Sequence, residues 1–301
     1  MEFENVLAID IGGTSVKIGV VKGEEILENT SIRNIFKGKC ETLLPGIKEI
    51  CKNYIAKYNI HKIGIGCPGE INDGVVMWAS NLGWHNFPLL NEFQKEFKNC
   101  QIILDNDGYT ACQAEIKFGS LYNVQNGLFV TFGRGVGGAI IVDNKIMHGA
   151  HNKGGNFGHM VTHTNGRKCN CGRRGCFETY TSVLGLIQTV KEINMRWQNE
   201  NDQIDTSDLS GFKIVSLSKE KNPIILEAVY KWNQDIAEGL LDLCLIFDPQ
   251  IIVLAGGITD SGLINLDYIK STLAKQEYYC EVKLAKFTGK TGLVGAAALH
   301  V

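Results

Sequence analysis

Three cysteines lie within eight residues of one another in the stretch Cys169-Asn-Cys-Gly-Arg-Arg-Gly-Cys176, and His159 lies ten positions before the first of them. Clustered thiols of this kind can hold a metal, form a disulfide, or remain as free thiols. A metal is favoured over a disulfide, because the chain starts with MEFENVLAID and shows no secretory signal. The stretch therefore predicts a metal site.

Two glycine-rich turns offer a second kind of chemistry. The first glycine turn is Asp10-Ile-Gly-Gly-Thr14 and the second is Thr131–Gly138 (TFGRGVGG), and an apolar strand precedes and follows each. Glycines leave backbone N–H groups open to an anion, and Thr14 adds a hydroxyl donor. A third glycine pair, Gly256-Gly257, follows the apolar run Ile251–Leu254. The set suits a nucleoside triphosphate, although neither turn is a Walker A loop or a clean dinucleotide-binding fingerprint.

The composition limits the classes of function. The chain has 301 residues, of which 44% are hydrophobic and 21% charged, and a formal net charge of -2. These values are typical of a globular protein long enough for two domains, with no bulk attraction to nucleic acid. No apolar run approaches the ~18 residues of a membrane span. We therefore expect a cytoplasmic protein that binds neither nucleic acid nor membrane.

The elements that must position these residues alternate between strand and helix, which predicts an α/β protein. The predicted strands are Val6–Ile11, Val16–Val21, Lys62–Gly66, Gln101–Leu104, Gly127–Phe132, Gly138–Val142 and Ile251–Leu254. The predicted helices are Thr42–Tyr58, the segment after Asp107 to about Phe118, Ile224–Phe247, Leu263–Lys275 and Thr291–His300. The polar stretch Trp197–Lys221 has no clear period, and we interpret it as loop and surface structure.

An internal similarity links the two glycine turns. Ile9–Val21 and Val130–Val142 each read as strand, glycine turn and strand, and a gapless alignment sets Gly12 opposite Gly133 and Asp10 opposite Thr131. A repeat at so long a spacing indicates a duplicated domain, although two unrelated glycine hairpins would look the same. Duplication predicts two similar α/β domains that face a shared cleft.

The glycine turns and the pattern Gly158-His159 … Cys169-x-Cys-Gly-x-x-Gly-Cys176-x-Glu178 together resemble the ROK family of sugar kinases and sugar-responsive repressors, within the actin–hexokinase–Hsp70 superfamily. The resemblance covers nearly the whole chain. It implies two ribonuclease-H-like (actin-like ATPase) α/β domains that flank a central cleft. The first domain would span residues 1–115 and the closing helix 290–301, and the second would span 116–289 and carry the zinc ligands.

The resemblance implies that the clustered cysteines and the histidine hold a structural Zn²⁺, with His159, Cys169, Cys171 and Cys176 as its ligands. Three thiolates and one imidazole complete a tetrahedral shell with no open position, so this metal would be a scaffold. In the family the second ring nitrogen of His159 and the matching Glu178 contact the sugar. We interpret the basic residues of the same stretch as a solvated loop rather than a nucleic-acid site: Arg167, Lys168, Arg173 and Arg174.

The resemblance also implies the residues of phosphoryl transfer. Asp107 matches the catalytic base, which would take the proton of the sugar's O6 as the bond to phosphorus forms. The alternative is that Asp105, Asn106 and Asp107 cap the next helix. Asp10 matches the aspartate that helps to hold Mg²⁺ on ATP. The implied sugar contacts are Gly69, Asn81, Asn106, Asp107, Asn156, His159 and Glu178, and the implied ATP contacts are Asp10, Gly12, Gly13, Thr14, Lys17, Thr131, Gly133, Arg134, Gly135, Gly256 and Gly257.

Two positions depart from the family pattern. Arg134 stands where the family has threonine or a small residue, and it could reach a phosphate oxygen or point into solvent. Asn156 stands where the family has a sugar-binding glutamate. An amide offers a donor NH₂ and one neutral acceptor instead of two charged oxygens. This slightly favours a sugar with an acetamido group, although a different hydroxyl orientation, or glucose bound through the amide oxygen, would also fit.

We therefore predict an ATP-dependent hexose 6-kinase that uses MgATP and prefers N-acetylmannosamine or another N-acetylhexosamine to glucose. Sugar and MgATP are the expected small-molecule partners, and a homodimer is the expected assembly. The alternative is a sugar-responsive regulator without catalysis. Family repressors carry a helix-turn-helix domain ahead of the first glycine turn, and the position of Asp10 leaves no room for one.

Overall fold

The structure, a computed structural model, describes residues 3–33, 40–79 and 82–301 and divides into two compact units. The first unit comprises Met1–Asn123, Asn144–Gly154 and Gly289–Val301, and the second comprises Val124–Asp143 and Gly155–Thr288. These units differ from the domains expected from the sequence chiefly because Asn144–Gly154 packs in the first unit.

The elements of the described residues follow in chain order. The strands are β1 (Asn5–Ile11), β2 (Ser15–Lys22), β3 (Glu25–Arg33), β4 (Lys62–Cys67), β5 (Glu70–Asn72), β6 (Val75–Ala79), β7 (Trp84–Phe87), β8 (Gln101–Asn106), β9 (Gly127–Phe132), β10 (Val136–Val142), β11 (Lys145–Ile146), β12 (Ile251–Ala255) and β13 (Glu281–Leu284). The α-helices are α1 (Cys40–Tyr58), α2 (Leu89–Glu96), α3 (Asp107–Phe118), α4 (Glu178–Thr181), α5 (Val183–Arg196), α6 (Gly211–Lys219), α7 (Pro223–Phe247), α8 (Leu266–Lys275) and α9 (Thr291–Ala298).

The main sheet of the first unit has the strand order β3-β2-β1-β4-β8. β1 pairs antiparallel with β2 and parallel with β4, which pairs parallel with β8. β1 is buried on both faces: Leu7, Ile9 and Ile11 join the cluster beneath α1, and Val6 and Ala8 join the cluster beneath α9. Burial on both faces explains why β1 is an almost continuous apolar run instead of an alternating one.

The second unit repeats this topology. Its strands lie in the order β10-β9-β12-β13, with β9 antiparallel to β10 and parallel to β12, and β12 parallel to β13. The α/β class predicted from the sequence is confirmed, and the two sheets share the order and directions that a duplicated domain requires. The buried side of the long helix α7 belongs to the same core cluster as this sheet, and the ring of its Trp232 lies 6.4 Å from that of Phe132 in β9.

The two glycine hairpins differ in register by one residue. In the first, Ile11 pairs with Val16 and the turn closes with a bond from Gly12 N to Ser15 O of 2.9 Å. In the second, Phe132 pairs with Val136. The gapless alignment of the two segments therefore holds through the first strand but is displaced by one residue in the second strand.

The interpretation of Trp197–Lys221 as loop and surface structure is wrong in part. The stretch contains a 3₁₀ turn at Glu200–Asp202 and the helix α6, in which Ile214 is fully buried in the core of the second unit. Ser210 caps α6 by accepting a hydrogen bond from Lys213 N. Helix α6 is only 9 residues long. A sequence window long enough to detect helical periodicity therefore also includes the polar flanking residues, which mask the apolar pattern.

Glycine at position 64 lets α9 approach the sheet of the first unit. A Cβ on Gly64 would collide with the backbone carbonyl of Ala296, whereas a Cβ on Gly46 in α1 would meet nothing within 4 Å. We predict that Gly64→Ala lowers the free energy of unfolding by about 1–3 kcal/mol through overpacking. Gly46→Ala should leave it unchanged or raise it by about 0.5–1 kcal/mol. Urea and thermal unfolding of both variants test this, and equal stability of Gly64→Ala and wild type would contradict it.

Candidate active site

The carboxylate of Asp107 stands at the start of α3, directly after β8. Asn106 is the cap of this helix: its side chain accepts hydrogen bonds from Gly108 N at 2.8 Å and Tyr109 N at 3.4 Å. The Asn106 amide also donates to Gly69 O at 2.8 Å, so these candidate sugar contacts lie together. Because Asn106 caps the helix, the Asp107 carboxylate is not the cap, and it accepts a bond from Gly108 N at 3.0 Å.

The surroundings of Asp107 make its carboxyl a weaker acid than usual. Its side chain remains accessible to solvent, but much of its hydration is replaced by protein. This burial, with the negative charge of Asp10 as the second cause, raises the pKa of Asp107 to about 6. A carboxylate with such a pKa is ionised at neutral pH yet basic enough to accept a proton.

Asp10 shares this part of the first unit. It lies opposite Lys17 in the pairing of β1 with β2. Burial raises the pKa of the Asp10 carboxyl, and the charge of Lys17 opposes that rise. At the start of α9, a Cβ on Gly292 would collide with the Asp10 carboxylate. The helix is therefore close to Asp10 only because residue 292 is glycine, while Thr14 in the turn itself stays exposed.

A histidine that the sequence analysis did not single out supports the Asn106-Asp107 pair. His148 Nε2 lies 3.0 Å from Asp105 Oδ2, and Asp105 Oδ1 accepts a bond from Asn106 N at 2.7 Å. The hydrogen bond to Asp105 is the main cause that raises the pKa of His148. His148 and Asp105 are 43 residues apart, and no local pattern joins them, so only the folded chain reveals the contact.

The candidate phosphate contacts of the second unit also cluster. Ala255, the last residue of β12, pairs with Thr131 of β9, and this brings the glycines after β12 beside the second glycine turn. Gly256 has φ +111°, and a Cβ there would collide with the carbonyl of Phe132. Gly133 N bonds Gly135 O at 2.9 Å and closes the turn. Arg134, between these two glycines, has an exposed side chain.

The four predicted zinc ligands form one cluster. The ligand atoms of His159, Cys169, Cys171 and Cys176 all lie within 4.8 Å of one another. Sγ of Cys171 and Cys176 are 3.6 Å apart, and Cys169 Sγ is 3.7 Å from His159 Nδ1. Zn–S bonds of about 2.3 Å in a tetrahedron put sulfur atoms about 3.8 Å apart. The donor set and its spacing therefore fit Zn²⁺. The metal would hold together the two ends of residues 159–176, a segment here called the zinc loop.

Glu178 lies between the zinc ligands and the second glycine turn. It is the first residue of α4, and its Oε1 is 3.1 Å from Cys169 Sγ and 3.6 Å from His159 Nδ1. Its Oε2 accepts a bond of 3.4 Å from Val136 N, at the end of the turn. A Cβ on Gly135 would lie 2.7 Å from the same oxygen. A carboxylate at this point can reach a substrate bound over the turn.

Three further residues singled out in the sequence differ in how far the structure agrees with their predicted surroundings. Asn156 is exposed and directly precedes the 3₁₀ turn Phe157–His159, so it lies on the same stretch as the zinc ligand His159. Asn81 lies outside the described residues. Arg167 contradicts the interpretation of the basic residues as a solvated loop, because its side chain is only 16% exposed and is fully engaged in hydrogen bonds.

Comparison with known proteins identifies the family. A family model described as the ROK family matches residues 6–301, and the chain belongs to the ROK family. A glucokinase of Streptomyces coelicolor is 28% identical over 97% of this chain and 96% of its own length. An N-acetylmannosamine kinase of Haemophilus influenzae is 29% identical over 97% of this chain and 93% of its own length.

Solved structures agree. The crystal structure of a ROK family glucokinase from Streptomyces griseus in complex with glucose and AMPPNP has a TM-score of 0.83 and 27% identity, with 98% of each chain covered. The predicted family and fold class are thereby confirmed. Among the described residues, no helix combines the length and apolarity that crossing a membrane would require.

The cluster geometry generates a prediction about metal content. We expect one tightly bound zinc per chain, which Cys171→Ser should lower because it removes one of four ligands. Elemental analysis of the purified protein, with zinc release on chelation followed by a chromogenic dye, measures this. Cys100→Ser, which changes a cysteine outside the cluster, is the matched control and should keep its zinc. Equal zinc content in Cys171→Ser and wild type would rule out this site.

Proposed function

We propose that the protein is an ATP-dependent sugar kinase that transfers the γ-phosphoryl group of ATP to the 6-hydroxyl of a hexose or N-acetylhexosamine. The observation that carries this proposal is the state of Asp107: an accessible carboxylate at the start of α3 with a pKa raised to about 6. Membership of the ROK family and the kinase relatives support the reaction class.

In the proposed reaction Asp107 is the general base. The sugar hydroxyl donates a hydrogen bond to its carboxylate, loses its proton to it as the O–P bond forms, and the phosphoryl group leaves ADP. Asn106 and Gly69 fix the sugar beside Asp107, and their mutual bond of 2.8 Å holds both in one place. Phosphoryl transfer needs mainly positioning and charge stabilisation, which suits a site built from a few rigid groups.

The nucleotide contacts are proposed from the two glycine turns. Gly12 N and Gly133 N close their turns, so the N–H groups proposed to bind phosphate oxygens are those of Gly13 and Thr14, the remaining ones of the second glycine turn, and those of Gly256-Gly257. Asp10 would help to hold Mg²⁺, which when bound neutralises charge on the transferring phosphate. Lys17, opposite Asp10 in the β1–β2 pairing, supplies a positive charge that opposes the rise in the pKa of Asp10 caused by burial.

The sugar contacts of the second unit are proposed to depend on the zinc loop. Cys169 Sγ and His159 Nδ1 of this loop both lie close to Oε1 of Glu178. With Nδ1 directed at Cys169, His159 keeps Nε2 for a sugar hydroxyl. Zn²⁺ would supply rigidity and no reacting group, because the four protein ligands fill its tetrahedral shell.

The proposal for the sugar rests on Asn156, which is exposed and lies three residues before the zinc loop. An amide can accept a bond from a hydroxyl or donate one to an acetamido carbonyl, whereas a glutamate can only accept. Charge-assisted bonds are also roughly twice as strong as neutral ones, so a glucose-specific site loses more by this replacement. We infer a preference for N-acetylmannosamine or another N-acetylhexosamine over glucose.

The role of Asp107 predicts both a rate loss and a pH profile. For wild type, kcat/KM should fall as the pH drops through about 6, because the base must be ionised, and level off above that pH. Asp107→Asn should keep sugar binding and lose about 10²–10⁴-fold in kcat, the usual range for a positioned base. A coupled kinase assay over pH 5–8 and sugar titration by calorimetry measure these quantities.

The matched control for this prediction is Asp105→Asn, an identical substitution two residues away. Its oxygen still accepts the bond from Asn106 N, and only the charge opposite His148 is lost. We expect a much smaller loss than for Asp107→Asn. Turnover by Asp107→Asn at more than half the wild-type rate would exclude Asp107 as the base.

The role of Asn156 predicts the order of substrates. The kcat/KM values for N-acetylmannosamine, N-acetylglucosamine, mannose and glucose should rank an acetamido sugar first in wild type. Asn156→Glu should raise the value for glucose, while Asn156→Gln, which keeps the amide and adds only length, should not. Glucose leading by tenfold in wild type, about 1.4 kcal/mol of transition-state binding, would overturn the assignment.

A further inference from the structure

The side chain of Arg167 uses every N–H group it has. Nε and Nη2 donate to the two oxygens of Glu192 at 3.1 and 2.6 Å, respectively. Nη2 also donates to Thr189 Oγ1 at 2.9 Å. Nη1 donates to the backbone carbonyls of Thr179 at 2.8 Å and Gly185 at 3.1 Å. A guanidinium carries five N–H donors in a rigid fork, and here all five have acceptors, so Arg167 has one defined orientation.

These contacts join the zinc loop to the helix that carries Glu178. Arg167 lies two residues before the zinc ligand Cys169, and its backbone N donates to the hydroxyl of Tyr180 in α4 at 2.8 Å. Its guanidinium carbon lies 4.6 Å from the centre of the Tyr180 ring. Three elements thus meet at one side chain: the zinc loop, α4 and α5.

Helix α4 needs such a partner because it is a single turn of 4 residues. The N–H of Val183, which would bond the Thr179 carbonyl in a continuous helix, donates instead to Gly133 O at 3.0 Å. The extended conformation of Ser182 separates α4 from α5. The last carbonyls of a helix lack intrahelical partners, and here Arg167 satisfies Thr179 O, while Trp232 Nε1 satisfies Thr181 O at 2.8 Å.

We propose that Arg167 is a positioning residue for Glu178: by capping α4 from the zinc loop, it fixes where the Glu178 carboxylate lies relative to the second glycine turn. Glu178 is one residue from the Thr179 carbonyl that Arg167 holds. Movement of α4 would therefore displace the carboxylate from Val136 N and from the sugar. The proposal rests on the proposed function for its kinetic consequence, but the capping of α4 stands apart from it.

The ion pair with Glu192 has a separate, supporting role. Burial opposes ionisation of this carboxyl, but the hydrogen bonds from Arg167 and Gln188 and the charge of Arg167 outweigh it, so the pKa of Glu192 lies below its usual value. The pair aims the guanidinium at the carbonyls. Glu192→Gln keeps the shape and one acceptor oxygen but replaces the other oxygen with an NH₂ donor, so it should weaken the pair. Because the guanidinium remains to bond the carbonyls, it should disturb α4 less than loss of the guanidinium does.

The kinetic test compares Arg167→Gln and Arg167→Lys with the matched control Arg196→Gln. Arg196 lies on α5 in an exposed pair with Glu227. Loss of a partner that orients a binding group typically weakens binding by about 10–100-fold. We expect both Arg167 variants to raise the KM for the sugar about tenfold, with kcat at saturating sugar within about threefold and zinc content unchanged. Arg196→Gln should match wild type.

Hydrogen exchange of the segment 177–186 tests the capping without any assay of activity. In Arg167→Lys the amides of Thr181 and Ser182, bonded to Phe177 O and Glu178 O, should exchange faster than in wild type and in Arg196→Gln. Lysine is the milder change and serves if Arg167→Gln does not fold. Unchanged exchange in Arg167→Lys, or faster exchange with an unchanged sugar KM, overturns the proposal. Faster exchange in a protein that phosphorylates no sugar overturns the proposed function and leaves the capping intact.

Discussion

In the candidate site of the first unit, the adjacent side chains of Asn106 and Asp107 have different roles. A helix that begins directly after a strand exposes N–H groups that need acceptors, and Asn106 provides them. Asp107 is thereby released from capping, and its carboxyl keeps a single backbone bond in addition to its accessible edge. Had the aspartate been the cap, hydrogen bonds to its charged form would have lowered its pKa. The order Asn-Asp, rather than the presence of either residue, is what makes a base available.

The candidate contacts of the second unit lie on turns and on a one-turn helix instead of at the end of a strand. Short elements have little stability of their own. Three features hold them here: the clustered side chains of the proposed zinc ligands, the bond from Val183 N to Gly133 O, and the guanidinium of Arg167. Each joins a different pair of segments around Glu178, so the loss of one leaves the other two in place.

The sequence was informative where neighbours in the chain are neighbours in the structure. The predicted zinc ligands fall within one short stretch, α3 begins one residue before the predicted segment, and both glycine hairpins form where expected. Contacts between distant positions were not predictable. His148 contacts Asp105, 43 residues away in the chain. In the sequence nothing distinguishes Arg167 from a surface arginine, because its partner Glu192 is distant in the chain. Periodicity also fails for helices such as α6, whose length gives too few turns to register.

The side chains of the two glycine hairpins make the two copies of the fold chemically unequal. In the first copy Asp10 faces Lys17, a charged pair, whereas in the second the corresponding residues are Thr131 and Gly137, which carry no charge. A symmetric ancestor would have had the same pair twice. At this paired position the first hairpin acts on a bound ion through charge as well as through its backbone, whereas the second offers backbone dipoles and a hydroxyl.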